Sequence, residues 1–341
     1  MTQAPRDLLI VMPSWVGDIV MATPALRALA QGLPDTTISA TIRPGLTAIL
    51  DGAPWLQELT TASLRGSLGP WKDARRLARH EPEAVLLLPN SLRSGLFARL
   101  MGCSRRIGFA GQGRGLLLTD AIPRPRTNHP TTTLEDYVTL VEQGFGLTVE
   151  DRRPQLWTTR DQEEEAERIL AGIEGPTIVF NPGANRVDKR WHAGHFARLA
   201  DELRSRYPHT ILLNGSPAEQ PILEQIERSA APGLINLPAR GGSLGALKAI
   251  LRRSDLLVTN DTGPRHLAAA FGTPSVVLFG PTDRRFTILP GVRERHLVAE
   301  PFLTEDRVAD DHPAACRIDR ISVGDVTHAV DVLLAEEGTG R

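Results

Sequence analysis

The chain reads as an α/β protein built from two Rossmann-like, doubly wound lobes with a cleft between them. Three observations predict this. Its 341 residues exceed what one ordinary core encloses and suit two domains of about 150 residues each. Short apolar runs alternate with segments of helical period, the pattern of parallel strands covered by helices. The alternation lapses between Pro123 and Gln155 and then restarts. One lobe therefore spans residues 1–155 and a second spans 156–310. Residues 311–341 form a tail, whose apolar helix near Val326 to Leu334 is expected to pack back on the first lobe.

In order, Leu8 to Met12 is a buried first strand ended by Pro13. A helix follows through Ala30, with Pro24 marking a kink or a second start capped by Thr23. Thr37 to Ile42 alternates as a strand, and Ala84 to Leu88 is another buried one. A helix lies around Leu134 to Val141. In the second lobe an acidic helix covers Asp161 to Ala171, and a strand covers Thr177 to Phe180. Phe196, Leu199, Ala200, Leu203 and Tyr207 then recur at helical spacing. Strand Thr210 to Leu213, a helix near Ile222 and a Ser243-capped helix come next. Strand Leu256 to Val258 leads into a small-residue helix, and strand Ser275 to Phe279 closes the series.

The composition, 41% hydrophobic and 23% charged, is that of a folded globular protein. A formal net charge of −1 gives no global attraction to nucleic acid or membrane, so electrostatic steering must be local. Cys103 and Cys316 can make no disulfide framework and have no zinc spacing, which fits a reducing compartment. The apolar stretch at Leu8 is too short for a signal peptide, and no run approaches the ~18 residues of a membrane span. The expected location is the cytoplasm.

Candidate chemistry sits at strand ends, where open α/β sheets bind ligands. After the first strand comes Ser14-Trp15-Val16-Gly17-Asp18. Gly17 permits close backbone approach, and Asp18 reads equally as a helix cap or as a catalytic base. After the Thr177 strand comes Asn181-Pro182-Gly183-Ala184-Asn185, then Lys189-Arg190-Trp191. Lys189 suits a phosphate; the same pair also reads as solvated surface. The most specific run is Asn260-Asp261-Thr262-Gly263-Pro264-Arg265-His266. Its helix start offers free N–H groups and a positive dipole end to an anion. Thr262 adds a hydroxyl donor, and His266 is either a second donor or a core histidine. Asp261 would repel phosphate, so it orients the loop, caps the helix or binds a sugar hydroxyl.

Gly-x-x-x-x-Gly-Lys-[Ser/Thr] and Asp-x-Asp are absent, and Leu116 spoils a dinucleotide fingerprint at Gly111. No metal and no cofactor is therefore expected, and Lys189 with backbone donors must neutralise any phosphate. Between Ser91 and Arg126, seven arginines (93, 99, 105, 106, 114, 124 and 126) face one acid, Asp120. They form either a solvated face or a patch for an anionic acceptor or membrane surface.

Together these motifs resemble the lipopolysaccharide heptosyltransferases of glycosyltransferase family 9, heptosyltransferase II branch. The resemblance runs from Leu9–Asp18 and Pro24-Ala25-Leu26 through Leu88–Ser94 and Arg106–Phe109 to Asn181–Ala184, Lys189–Trp191, Asn260–Ala270, Gly280–Asp283 and His312–Cys316. It implies a GT-B architecture, an ADP-heptose donor on the second lobe and a lipopolysaccharide inner-core acceptor on the first. It also implies metal-independent, inverting transfer, with contact at the cytoplasmic face of the inner membrane and no nucleic-acid partner. By the same resemblance Asp18 is the general base, Lys189 the diphosphate partner and Thr262-Gly263 the phosphate-binding backbone. Asn185, Glu219, Asp261 and His266 complete the donor site, with Glu219 on the ribose. Ser14, Trp15, Gly17, Arg93, Arg105 and Arg106 face the acceptor. Arg284 and Arg285 depart from the proline common in relatives. Other readings are a family 9 enzyme with another sugar nucleotide or first-heptose specificity, and an inactive nucleotide-binding protein of this fold.

Overall fold

The computed structural model describes residues 4–66, 68–111, 113–125, 130–299 and 307–338. The chain divides into two compact units, Met1–Trp157 and Thr158–Arg341. Each is built on a six-stranded parallel sheet. The first comprises β1 (Asp7–Val11), β2 (Thr37–Ile42), β3 (Glu58–Thr61), β4 (Ala84–Leu87), β5 (Arg105–Phe109) and β6 (Asp120–Ile122), in the order β3-β2-β1-β4-β5-β6. Its helices are α1 (Val16–Gly32), α2 (Gly69–Leu77), α3 (Leu92–Met101) and α4 (Thr133–Phe145).

The second unit begins with α5 (Arg160–Ile169). Strands β7 (Thr177–Asn181), β8 (Thr210–Leu213), β9 (Ile235–Asn236), β10 (Leu256–Asn260), β11 (Ser275–Phe279) and β12 (Glu294–Val298) run in the order β12-β11-β10-β7-β8-β9. Read from its own first strand, this is the same winding as the first sheet. The covering helices are α6 (Ala193–Arg206), α7 (Gln220–Ser229), α8 (Leu244–Arg253), α9 (Gly263–Phe271) and α10 (Val323–Gly338). In each sheet the winding reverses between its first and fourth strands, at β1/β4 and β7/β10. In open sheets wound this way, ligands bind outside the carboxyl ends of the strands at such a point.

The central strands form because their residues are apolar on both faces: β1 from Leu8 on, β4, β7, β10 and β11 are buried throughout. The series does not close at β11; β12 adds a polar edge strand. Helix α1 is continuous through Pro24, so neither a second start nor a Thr23 cap is present. Pro24 removes the N–H that would bond the Val20 carbonyl, and the Thr23 hydroxyl donates to that oxygen instead (2.7 Å). The same hydroxyl accepts from the Gln155 N–H (3.0 Å).

The tail corrects another expectation. Val326, Ala329, Val330 and Leu333 of α10, with Ile318 and Ile321 before it, lie in one core with Phe180, Trp191, Phe196 and Leu278. Trp191 Nε1 donates to the Ile321 carbonyl (2.9 Å). The apolar face predicted to cover the first lobe is thus buried in the second unit. Cys103 and Cys316 are both buried and free.

Candidate active site

At the carboxyl end of β1, extended Trp15 is the N-cap of α1 and makes no side-chain capping bond. Asp18 is the third helical residue, so it is not the cap. No described residue donates a hydrogen bond to its carboxylate, and burial pushes its pKa up to about 6. Desolvation here outweighs the helix start, which by itself favours the anion. Tyr137 of α4 is buried nearby; burial raises its hydroxyl well above the usual range, and the Asp18 and Asp136 charges add to this. Ser14 and Trp15 are exposed beside Asp18, and Gly17 is half-buried.

The neighbouring strand end, after β4, carries exposed Arg93 in the first turn of α3. Buried Arg114 braces that loop, donating to the Phe109 carbonyl (2.8 Å), Asn90 Oδ1 (2.9 Å) and Ser94 Oγ (3.1 Å). Ser14, Trp15, Gly17, Asp18 and Arg93 therefore share one sheet edge.

Arg105 and Arg106 do not join them, which corrects the acceptor assignment. Both begin β5, in register with Ala84 and Val85 at the amino end of β4, about four residues or ~13 Å from the carboxyl edge. Arg105 pairs with Asp120 (2.6 Å) and stacks on Phe145. Arg106 donates to the Leu117 and Cys103 carbonyls (2.8 and 2.7 Å). Arg124 pairs with Asp136, and Arg126 lies outside the described residues. The arginine-rich segment is thus no single face: only Arg93 and Arg99 point freely from α3.

In the second unit, β7 and β10 both end in asparagine. Asn181 Nδ2 donates to Thr262 Oγ1 (3.1 Å), and Asn214 Nδ2 donates to Asn181 Oδ1 (2.6 Å). Asn260 Nδ2 donates to the Pro182 carbonyl (2.8 Å), and its Oδ1 accepts from the Trp191 N–H (3.2 Å). These bonds lock the two strand-end loops together. The Thr262 hydroxyl is held in the network, within donating distance of the Asn260 carbonyl (3.2 Å). What α9 offers an anion is the N–H of Thr262 and of Gly263, which meet no acceptor among the described residues.

Lys189 is positioned by Asp261. Its Nζ lies 3.8 Å from Asp261 Oδ2, while Asp261 Oδ1 accepts from Arg265 Nη1 (3.1 Å). Asp261 shapes the site from between two cations. Arg265 is fully buried and bonds Glu294 twice (3.0 and 2.8 Å) and Thr287 twice, over the Phe279 ring. His296 Nε2 lies 2.6 Å from Glu294 Oε2. Burial alone would raise the Glu294 carboxyl, but the His296 and Arg265 contacts hold it at about 2.

His266 is buried, and burial plus the Arg265 charge lower its pKa to about 4, so it is neutral at pH 7. Its Nδ1 has no partner among the described residues, unlike a satisfied core histidine. Asn185 is exposed in the β7 loop. Glu219 Oε2 accepts from the Ser216 N–H (2.7 Å) and hydroxyl (2.8 Å), and the carboxylate lies directly over Gly183. Arg285 is bonded to Asp283 (2.9 Å).

Sequence reasoning placed Asn181, Asn260 and Arg265 in its candidate runs and Arg114 in the arginine-rich segment without giving them a role, and it missed Tyr137, Glu294 and His296. The asparagines were legible as polar residues closing apolar strands. Glu294 and His296 had no such signal, lying on an edge strand far along the chain. Among the described residues, no group of three or more His, Cys, Asp or Glu side chains is placed to hold a metal ion.

Two doubly wound units, each with polar residues at its switch point, define the GT-B fold class. The structure of ADP-heptose lps heptosyltransferase II of E. coli superposes with a TM-score of 0.82 over 97% of this chain and 99% of that one, at 24% identity. The sequence model of glycosyltransferase family 9 (heptosyltransferase) matches residues 71–308, and the chain belongs to that family. Lipooligosaccharide heptosyltransferase 2 of Haemophilus influenzae is 28% identical, over 82% of this chain and 85% of its own. Lipopolysaccharide heptosyltransferase 2 of Escherichia coli is 28% identical over 82% and 84%.

Proposed function

We propose that this chain moves L-glycero-D-manno-heptose from ADP-heptose to the inner-core heptose of lipopolysaccharide, by a single inverting displacement that uses no metal, at the cytoplasmic face of the inner membrane. The observation that carries the substrate reading is the likeness, along most of the chain, to relatives named as heptosyltransferase 2. The geometry supports the chemistry. Asp18 takes the proton of the acceptor hydroxyl as that oxygen attacks the anomeric carbon, while the bond to the diphosphate breaks and ADP departs. A carboxylate with a pKa of about 6 is mostly ionised at neutral pH yet basic enough to share a proton in the transition state. The charge growing on the diphosphate is met by Lys189 and the N–H groups at Thr262 and Gly263. Asn185, Glu219 and neutral His266 complete the donor site, and Ser14, Trp15, Gly17 and Arg93 face the acceptor.

Mass spectrometry of the product formed from ADP-heptose and a core acceptor carrying one heptose tests the reading. One added heptose, undiminished by EDTA, is expected; no transfer rejects the substrate, and loss with EDTA rejects the metal-free mechanism. Asp18→Asn should lower turnover by about 10² to 10⁴-fold and leave ADP affinity unchanged. Lys189→Gln should instead weaken ADP binding by about tenfold, read by calorimetry.

A further inference from the structure

Helix α3 is apolar on both its sides, where a helix covering a soluble sheet is ordinarily polar on the outer one. Its buried side is Ser94, Gly95, Phe97, Ala98 and Met101. Its outward side carries Leu92, Leu96 and Leu100, which are 52%, 40% and 43% exposed. At 100° per residue these three leucines fall within an arc of about 80°, and exposed Arg93 and Arg99 flank it on either side. No acid lies on this face. Helix α2 packs against α3 and repeats the composition: Trp71 is 48% exposed, with the Arg75 guanidinium 5.6 Å from its ring centre, beside exposed Lys72 and Arg76. The one acid of α2, Asp73, is consumed internally by the Ser63 and Leu64 N–H groups and Arg76. Three leucines left in solvent on one face of a helix mark an interaction site.

We propose that the outward face of α3, with Trp71 of the adjoining α2, docks this unit on an anionic lipid bilayer. Leucines flanked by arginines match what an interfacial helix needs: apolar side chains reach the acyl boundary while guanidinium groups meet lipid phosphates. Charge decides against a second copy of the chain. A symmetric contact would bring the arginines of one copy against those of the other, with no acid on the face to pair them. Among the described residues no helix is long and apolar enough to cross a membrane, so this contact holds the protein at the surface. Because Arg93 opens α3 on the sheet edge that holds Asp18, the contact also presents that edge to a lipid-anchored acceptor; this last step rests on the proposed function.

Flotation of the full chain with vesicles tests the docking without any substrate. Vesicles of phosphatidylglycerol and phosphatidylcholine should carry the protein, and pure phosphatidylcholine vesicles should not. Leu96→Gln with Leu100→Gln, both already solvent-exposed, should lower partitioning at least about tenfold while leaving the circular dichroism and melting temperature unchanged. Arg99→Glu should lower it similarly and weaken its salt dependence. Failure of the unaltered chain to float with anionic vesicles overturns the proposal, as does equal flotation of the leucine variant. A dimer in light scattering that the leucine changes dissolve, without vesicle binding, assigns the face to a second copy and overturns it too. With a water-soluble acceptor fragment the leucine variant should keep its kcat/KM. Absence of transfer in that assay would reject the proposed reaction and leave the flotation result standing.

Discussion

At the scale of single residues, Asp18, the proposed base, carries a stability cost. Its folded pKa of about 6 exceeds the ordinary 3.8 because burial disfavours the charge. A raised pKa means the folded state holds the proton more tightly than the unfolded chain. Its stabilising effect is full below pH 3.8 and is lost as pH rises through 6. At pH 7.5 the enzyme thus carries a partly desolvated charge that no described residue bonds. Asp18→Asn should make the first unit more stable by about 1–3 kcal/mol at pH 7.5, and the gain should vanish near pH 4. Urea unfolding at the two pH values measures this; a variant no more stable at pH 7.5 would contradict the desolvation argument. The proposed role also predicts the pH profile of the unaltered enzyme. If Asp18 is the base, kcat/KM should climb about tenfold per unit below pH 6 and level above it. A flat profile between pH 5 and 7 would remove Asp18 from that role.

At the scale of elements, the strand-end loops of the second unit are held by close approach. A Cβ on Gly183 would stand 2.0 Å from Glu219 Oε1, so Gly183→Ala must evict Glu219 from its bonds to Ser216. That costs the turn a cap of about 0.5–2 kcal/mol and shifts a group assigned to the donor. Donor KM should rise about tenfold with acceptor KM unchanged, and Glu219→Ala, which loses the same cap, should add little further loss of stability or donor affinity to the Gly183→Ala chain. Equal changes in both KM values would place Glu219 outside the donor site. The same elements show how far the sequence could be read. Strands β1, β4, β7, β10 and β11 announce themselves because both their faces are buried, and the motifs at their ends fall where the winding reverses. Strands β3, β6, β9 and β12 are short or polar because an edge meets solvent, so Glu-Leu-Thr-Thr or Glu-Arg-His-Leu-Val looks like loop. Arg105 and Arg106 misled for a related reason: charge counts along the chain say nothing of which sheet edge a side chain leaves from, or which carbonyls it meets.

At the scale of the molecule, each unit has a complete sheet and its own core, and the second closes only when the tail is present. Ile318, Ile321, Val326, Val330 and Leu333 are all within 5% of full burial in that core. Exposing five such side chains costs about 10 kcal/mol, which is comparable to the whole stability of an ordinary domain. A fragment of residues 158–338 should therefore fold cooperatively on its own. It should also bind ADP, since Lys189, Asp261 and the α9 start all belong to it. A fragment of residues 156–310, the boundary the sequence pattern suggests, should be insoluble or molten, because Trp191 loses both its neighbours and the Ile321 carbonyl that its indole N–H meets. Thermal unfolding and ADP calorimetry on the two fragments separate these outcomes. Cooperative melting of the shorter one would show that α10 is dispensable to the core it lies in. A folded longer fragment that ignores ADP would show that the donor site needs residues from the first unit.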